Sequence, residues 1–149
     1  MSNRRILSLW FPRLAAERVL RNERGTQDAP LAIVAERGNV QALVSLSAEA
    51  QAEGLTLGQP LRDAQAMCPH LATRLSNPMA EAAFLSSLRR WAGKFSPWVA
   101  EEPPASLVID LTDCTHLFGG EEALLDRIAA ECADLGLSVR TAIADTLGA

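Results

Sequence analysis

Residues able to do chemistry are few in this chain, and they are scattered. His70 and His116 stand alone, with no cysteine, second histidine or carboxylate at metal-ligand spacing, so both read as surface or loop residues rather than general bases. Cys68, Cys114 and Cys132 are widely spaced and odd in number. They make neither a zinc pattern nor a disulfide framework, and a reducing, cytoplasmic setting fits them best. Asp110 and Asp113 have the look of a carboxylate pair. Three residues apart at a strand end, their side chains need not converge, and a solvated turn is a better reading than metal binding. Glu121-Glu122 reads as acid at a helix N-terminus, where the dipole favours it, and Gly119-Gly120 is too little for a phosphate loop. Arg13, Arg18, Arg21 and Arg24, with Arg89 and Arg90, read as solvated faces, with phosphate contact as the sharper option. Trp10, Trp91 and Trp98 read as packing residues rather than base-stacking platforms.

The elements that must position these residues are those of an α/β chain. Its 149 residues and 48% apolar content are enough to bury a core. Fourteen basic against 18 acidic residues give a net charge of −4, which argues against a surface that grips nucleic acid all round but leaves room for a local basic face. No apolar run approaches the ~18–20 residues of a membrane span. Ile6 to Trp10 reads as a buried strand, and Pro12 opens a helix running to about Arg24. Gly25 to Pro30 is a turn-rich connection. Leu31 to Ala35 and Val40 to Leu46 are strands joined at Arg37-Gly38-Asn39. Ser47 is the expected N-cap of a short helix that stops at Gly54, and a second short helix runs from Pro60 to about Cys68-Pro69. Pro78 to Lys94 is the clearest helix, with Phe84, Leu88, Trp91 and Phe95 at helical spacing. A strand over Leu107 to Leu111 follows. A helix after Gly119-Gly120 then carries Leu124, Ile128, Cys132 and Leu135 on one face, and a strand over Val139 to Ala144 comes last. The ending carries no stop signal and reads as part of a longer protein.

The order of the segments is more specific than any one of them. Ser96-Pro97-Trp98-Val99, Leu107 to Thr112, Leu117-Phe118-Gly119-Gly120, a helix, Leu135 to Val139 and Ala142-Ile143-Ala144 together resemble the palm of Y-family translesion DNA polymerases, the UmuC/DinB-like group. Arg37 to Val40, Ser47 to Ala50 with Gly54, Gln59-Pro60-Leu61 and Cys68-Pro69 resemble that family's fingers segment. The resemblance implies a palm-like domain from residues 1–24 and 76–149, its antiparallel-type sheet covered by helices on one face. It also implies a small inserted fingers-like subdomain over 25–75, with thumb and little finger absent. Phe84, Leu88, Trp91, Ile128 and Leu135 are the expected buried residues of the two long helices.

The departures from the family pattern carry the functional expectation. Two-metal phosphoryl transfer needs carboxylates that align the primer hydroxyl and the triphosphate. The family's first Asp-x-Asp element falls on Ser8 and Trp10, and no carboxylate lies between Met1 and Leu14. Its second acidic pair falls on Ala105 and Ser106. The fingers Tyr and Arg that grip the triphosphate fall on Ala48 and Gln51, and the phosphate-contacting Lys falls on Leu147. A methyl group cannot bind Mg²⁺ and a leucine cannot neutralise phosphate. This pattern, and the Leu-Trp-Phe-Pro-Arg run over 9–13, resemble the ImuB subgroup. The resemblance then implies a non-catalytic adaptor, without cofactor or metal, in damage-induced mutagenic DNA repair in the bacterial cytoplasm. Its expected partners are an ImuA-like, RecA-related protein, an error-prone C-family DNA polymerase and the sliding clamp, met mostly through segments beyond these residues, with damaged DNA as a further candidate. Two alternatives stand beside it: an active Y-family polymerase with displaced metal ligands, and a protein-interaction domain that never touches DNA.

Overall fold

Alternation along the first strand sets the architecture. In a computed structural model, which describes residues 3–23 and 29–147, β1 (Asn3–Trp10) sends Leu7 and Leu9 to one side, both fully buried, and Ser8 and Trp10 to the other. The run is therefore a one-sided strand, not one buried on both faces. β1 pairs antiparallel with β6 (Ser106–Asp110) and with β7 (Arg140–Leu147), and β6 pairs antiparallel with β5 (Val99–Glu102). The resulting four-stranded sheet has the order β5-β6-β1-β7. Leu7 stands opposite Ile109 and Leu9 opposite Leu107, so four fully buried side chains line one face.

Two helices lie on that face. The side chains that share it at the sheet margins show this directly. Arg5 of β1 donates from Nε (2.6 Å) and Nη2 (2.9 Å) to Glu121, the first residue of α5 (Glu121–Asp134). Glu101 of β5 accepts from Ser86 Oγ (3.0 Å) and Arg89 Nε (2.8 Å) on α4 (Pro78–Ala92). The α4 residues that become buried are Leu85, Leu88 and Ala92, whereas Phe84 and Trp91 stay half-buried. The buried stripe is thus turned about one residue from the expected one, and the reason is polar. The Trp91 indole N–H needs an acceptor and finds Glu131 at 3.0 Å, at the edge of the helix pair. On α5, Leu124, Ile128 and Cys132 are buried as their spacing predicts, and Leu135, just past the helix end, is half-buried. Phe95 is buried between Trp91 and Phe118 in edge-to-face contacts at 5.3 and 5.7 Å.

Residues 13–78 form a separate compact unit, and 1–12 with 79–149 the other. In the second unit, β2 (Leu31–Arg37) and β3 (Val40–Leu46) make the expected hairpin, turning at Gly38 with φ +66. A strand with no signature in the sequence, β4 (Ala72–Leu75), pairs parallel to β2, giving the order β3-β2-β4. The helix α1 (Leu14–Asn22) packs Ala16 and Val19 against Leu31 and Ile33 on one face of this sheet. The other face packs Ala32, Val34, Leu43 and Leu46 against Ala50 of α2 (Ala48–Ala52), Leu55, and Ala64 of α3 (Leu61–Met67). These compact units divide at 12/13 and 78/79. The helix α1 goes with the sheet that takes its apolar stripe. Arg24 and most of the 25–30 connection lie outside the described residues.

Glu131 is the polar tie of the first unit. It accepts from Trp91 Nε1, from Lys94 Nζ and from Arg127 Nε (2.9 Å). Lys94 first, then Arg127 and Trp91, hold its carboxyl far below the ordinary range, at about 2, against an opposing push from desolvation. A carboxyl depressed by folding stabilises the folded form above its unfolded value of 4.5, and that stability is lost as pH falls from there toward 2. Glu131→Gln is expected to lower unfolding free energy by about 1–2 kcal/mol at neutral pH, the scale of a charge-assisted hydrogen-bond set. The deficit should shrink toward zero as urea unfolding curves are taken down to pH 2.

Candidate functional site

The pairing registers turn the outer face of the first sheet into a grid. One cross-strand row reads Glu102, Ser106, Trp10, Arg140. The next reads Ala100, Val108, Ser8, Ala142, and the third carries Asp110, Ile6 and Ala144. Ala105 joins the first row through its carbonyl, which accepts from Phe11 N–H at 2.9 Å. Ser8, Trp10 and Ser106 are thus neighbours at one end of one sheet face, with the Ala105 backbone beside them at the start of β6. On that face they present two hydroxyls and an indole. The Arg140 guanidinium lies 5.6 Å from the Trp10 ring centroid, so a cation from the chain itself stands on this row.

Two carboxylates share the face without forming a pair. Glu102 is exposed, opposite Ser106. Asp110 lies four residues along β6 from Ser106, roughly 13 Å at strand rise. The Asp110 carboxylate is held at its strand end, where Oδ1 accepts from Thr112 N–H at 2.9 Å. Bonds from the Thr112 hydroxyl and N–H, with a smaller contribution from Arg4, hold its pKa below the ordinary value. Asp113 sits in an exposed left-handed turn at φ +61. Among the described residues, no three His, Cys, Asp or Glu side chains come together as a metal-holding group. His70 is mostly exposed with Nε2 4.0 Å from Glu53, Cys68 is buried in the core of the second unit, and His116 is exposed.

In the second unit, Ala48 and Gln51 both fall on α2. The helix is placed by Ser47, a fully buried N-cap whose hydroxyl accepts from Ala50 N–H (3.1 Å) and from Leu31 N–H (3.0 Å). Gln51 Oε1 accepts from Arg13 Nη2, and the Arg13 Nε is buried with no partner. A guanidinium therefore reaches the Gln51 position from α1. Its sequence signal was only an arginine among several along one helix. Leu147 ends β7 opposite Asn3, and its side chain lies outside the described residues.

This geometry sits in a chain that matches the impB/mucB/samB family over residues 9–149. The chain belongs to that family. Protein ImuB of Caulobacter vibrioides, strain NA1000 / CB15N, is 43% identical over 96 residues, which is 64% of this chain and 21% of that protein. The same holds for Protein ImuB of strain ATCC 19089 / CIP 103742 / CB 15. The aligned part therefore spans about a fifth of these curated relatives. Among solved structures, a post-insertion binary complex of Dbh DNA polymerase superposes with a TM-score of 0.81 at 17% identity, covering 94% of this chain and 42% of that one. DinB from Sulfolobus solfataricus gives 0.74 at 16%, with the same coverage. Identities this low establish the fold, the palm and fingers architecture of Y-family polymerases.

Ser47 is where packing of the second unit can be tested. Ser47→Ala removes the cap and leaves the buried Leu31 N–H unpaired, and is expected to cost about 2–3 kcal/mol in urea unfolding. Glu49→Ala, exposed on the same helix, should stay within about 0.5 kcal/mol.

Proposed function

We propose that this chain is the palm and fingers part of a non-catalytic, Y-family polymerase-like adaptor in damage-induced mutagenic DNA synthesis, working in the bacterial cytoplasm. One observation supports the reading above the others. The sheet end where the family pattern places its acidic elements carries Ser8, Trp10, Ala105 and Ser106, neighbours in space. Two-metal chemistry needs several carboxylates within a few ångströms of each ion. Glu102 and Asp110 are single acids on separate rows, and Arg140 brings a positive charge that repels a divalent cation. The kinship with Protein ImuB adds to the reading. Its proposed partners are a RecA-related ImuA-like protein, an error-prone C-family polymerase and the sliding clamp. No helix among the described residues is long and apolar enough to cross a membrane.

Primer extension with the full-length protein tests this reading. No template-dependent incorporation is expected with Mg²⁺ or Mn²⁺. Incorporation that disappears in Glu102→Gln or Asp110→Asn would instead establish an active polymerase with displaced ligands. DNA affinity measured against salt then separates two kinds of adaptor: a steep decline marks phosphate contacts, and absence of binding marks an adaptor that meets proteins only.

A further inference from the structure

The opposite end of the same sheet face carries a cavity of about 560 Å³, lined among others by Arg4, Ile6, Trp98, Val108 and Asp110. It begins four residues along β1 from Trp10, roughly 13 Å away at strand rise. Its size is that of a small-molecule site. Three features set it apart from an ordinary gap between side chains.

The first is Trp98, which is 70% exposed. An indole left in water forgoes a large hydrophobic gain, yet its backbone is pinned on both sides. Its carbonyl accepts from Asp110 N–H at 2.9 Å, and its N–H donates to Ser96 Oγ at 3.1 Å. The Ser96 hydroxyl, 3% exposed, donates in turn to the Asp110 carbonyl at 2.6 Å. The tryptophan is thus presented from a fixed backbone rather than from a loose loop. The second feature is Asp110, the cross-strand neighbour of Ile6, with its carboxylate anchored through Thr112. The Thr112 hydroxyl is itself held by Arg5 N–H at 3.2 Å. The third is Arg4, exposed and lining the same cavity, whose guanidinium makes no hydrogen bond or ion pair with any described residue. Arg4 and Asp110 therefore face one cavity with opposite charges that have not closed on each other. Ile6 and Val108 give it an apolar floor.

We propose that this cavity is a guanine-nucleotide subsite, distinct from the Trp10–Ser106 end of the face. The base stacks on Trp98 over Ile6 and Val108, Asp110 accepts hydrogen bonds from its edge, and Arg4 takes the phosphate. Aromatic stacking of a base does not discriminate between bases. Discrimination falls to Asp110. A carboxylate only accepts, and guanine alone of the four bases offers two adjacent donors, N1–H and the 2-amino group, side by side. Adenine and cytosine offer one amino group, and thymine one imide N–H. The free guanidinium complements a phosphate bidentately. A free nucleotide and an unpaired guanine in a single strand share this chemistry.

Isothermal titration of the full chain with dGMP, dAMP, dCMP, dTMP, guanosine, and a short oligo-dT carrying one central dG tests the proposal. Saturable one-to-one binding is expected, with dGMP tighter than the other mononucleotides. Asp110→Asn should erase that preference, a change of about tenfold or more, equivalent to about 1.4 kcal/mol. Arg4→Gln should bring dGMP down to the affinity of guanosine. Trp98→Ala should weaken every ligand about tenfold, and Trp98→Phe should restore most of the loss, which separates stacking from a folding defect. The dG-containing oligomer binding more tightly than dGMP assigns the site to single strands, and the reverse assigns it to the free nucleotide. The proposal is overturned if neither dGMP nor the oligomer binds saturably at millimolar concentration. It is equally overturned if Asp110→Asn leaves the base order unchanged, or if Trp10→Ala abolishes binding while Trp98→Ala does not.

Discussion

The register of β1 against β6 is the constraint on which the first unit depends. Leu7 against Ile109 and Leu9 against Leu107 bury four large side chains on one face. A slip of β1 by one residue against the fixed β6 would send Leu7 and Leu9 to the outer face and bring Ser8 inward. At about 25 cal/mol per Å² of apolar surface, burying two such side chains is worth several kcal/mol, enough to exclude the slipped pairing. The same register, by consequence, writes the outer face row by row. Trp10 stands opposite Ser106 because Leu9 stands opposite Leu107. The site is a by-product of the core.

Ion pairs then fasten the helices over that core, and each falls where a sheet residue on the helix side meets a helix end or edge. Arg5 is shared between Glu121 and Asp145, which raises its pKa and lowers that of Glu121. Both partners are partly exposed, so solvent screening leaves the triad worth less than its geometry suggests. Its effect is on orientation. It holds the α5 N-terminus at the margin of the sheet, as Glu101 holds α4 at the other margin. In the second unit, Glu23 and Arg74 form a forked pair that ties the end of α1 to β4, and Arg74 holds the Glu23 carboxyl below its ordinary value.

The two ends of the outer face differ in their electrostatics. One end bears the Ser8 and Ser106 hydroxyls and the Trp10 indole beside Arg140. On the Trp10–Ser106 row one acid, Glu102, is balanced by one cation, Arg140, and no acid stands directly beside another. A tryptophan beside an arginine is content with a partner of its own, since the cation–π contact offsets part of the cost of exposing the ring. At the other end, no cation among the described residues stacks on Trp98, while Arg4 and Asp110 line one cavity without an ion pair between them. The face is therefore polarised, with a self-satisfied end and an end that still has bonds to make.

Much of this was legible in the chain. The existence of β1 and β6, the spacing on α5, the Ser47 cap and the Gly38 turn are signals between residues close in sequence, whereas the one-sidedness of β1 was missed because its apolar run hides the alternation. Absence of any carboxylate before Leu14 is a fact of the sequence alone. What only tertiary structure decided is which element meets which. The helix α1 joined the sheet of the second unit because Leu31 and Ile33 accept its apolar stripe. The strands β4 and β5, four residues each and without a clean pattern, exist because longer strands offer them an edge. Trp98 was read as a core or interface packing residue, and its exposure removes the core alternative. Its nearness to Arg4, more than ninety residues earlier in the chain, arises from strand pairing. A sequence records the face on which each side chain will lie; the neighbour on that face is set by non-local hydrogen bonding and core packing, which no local pattern encodes.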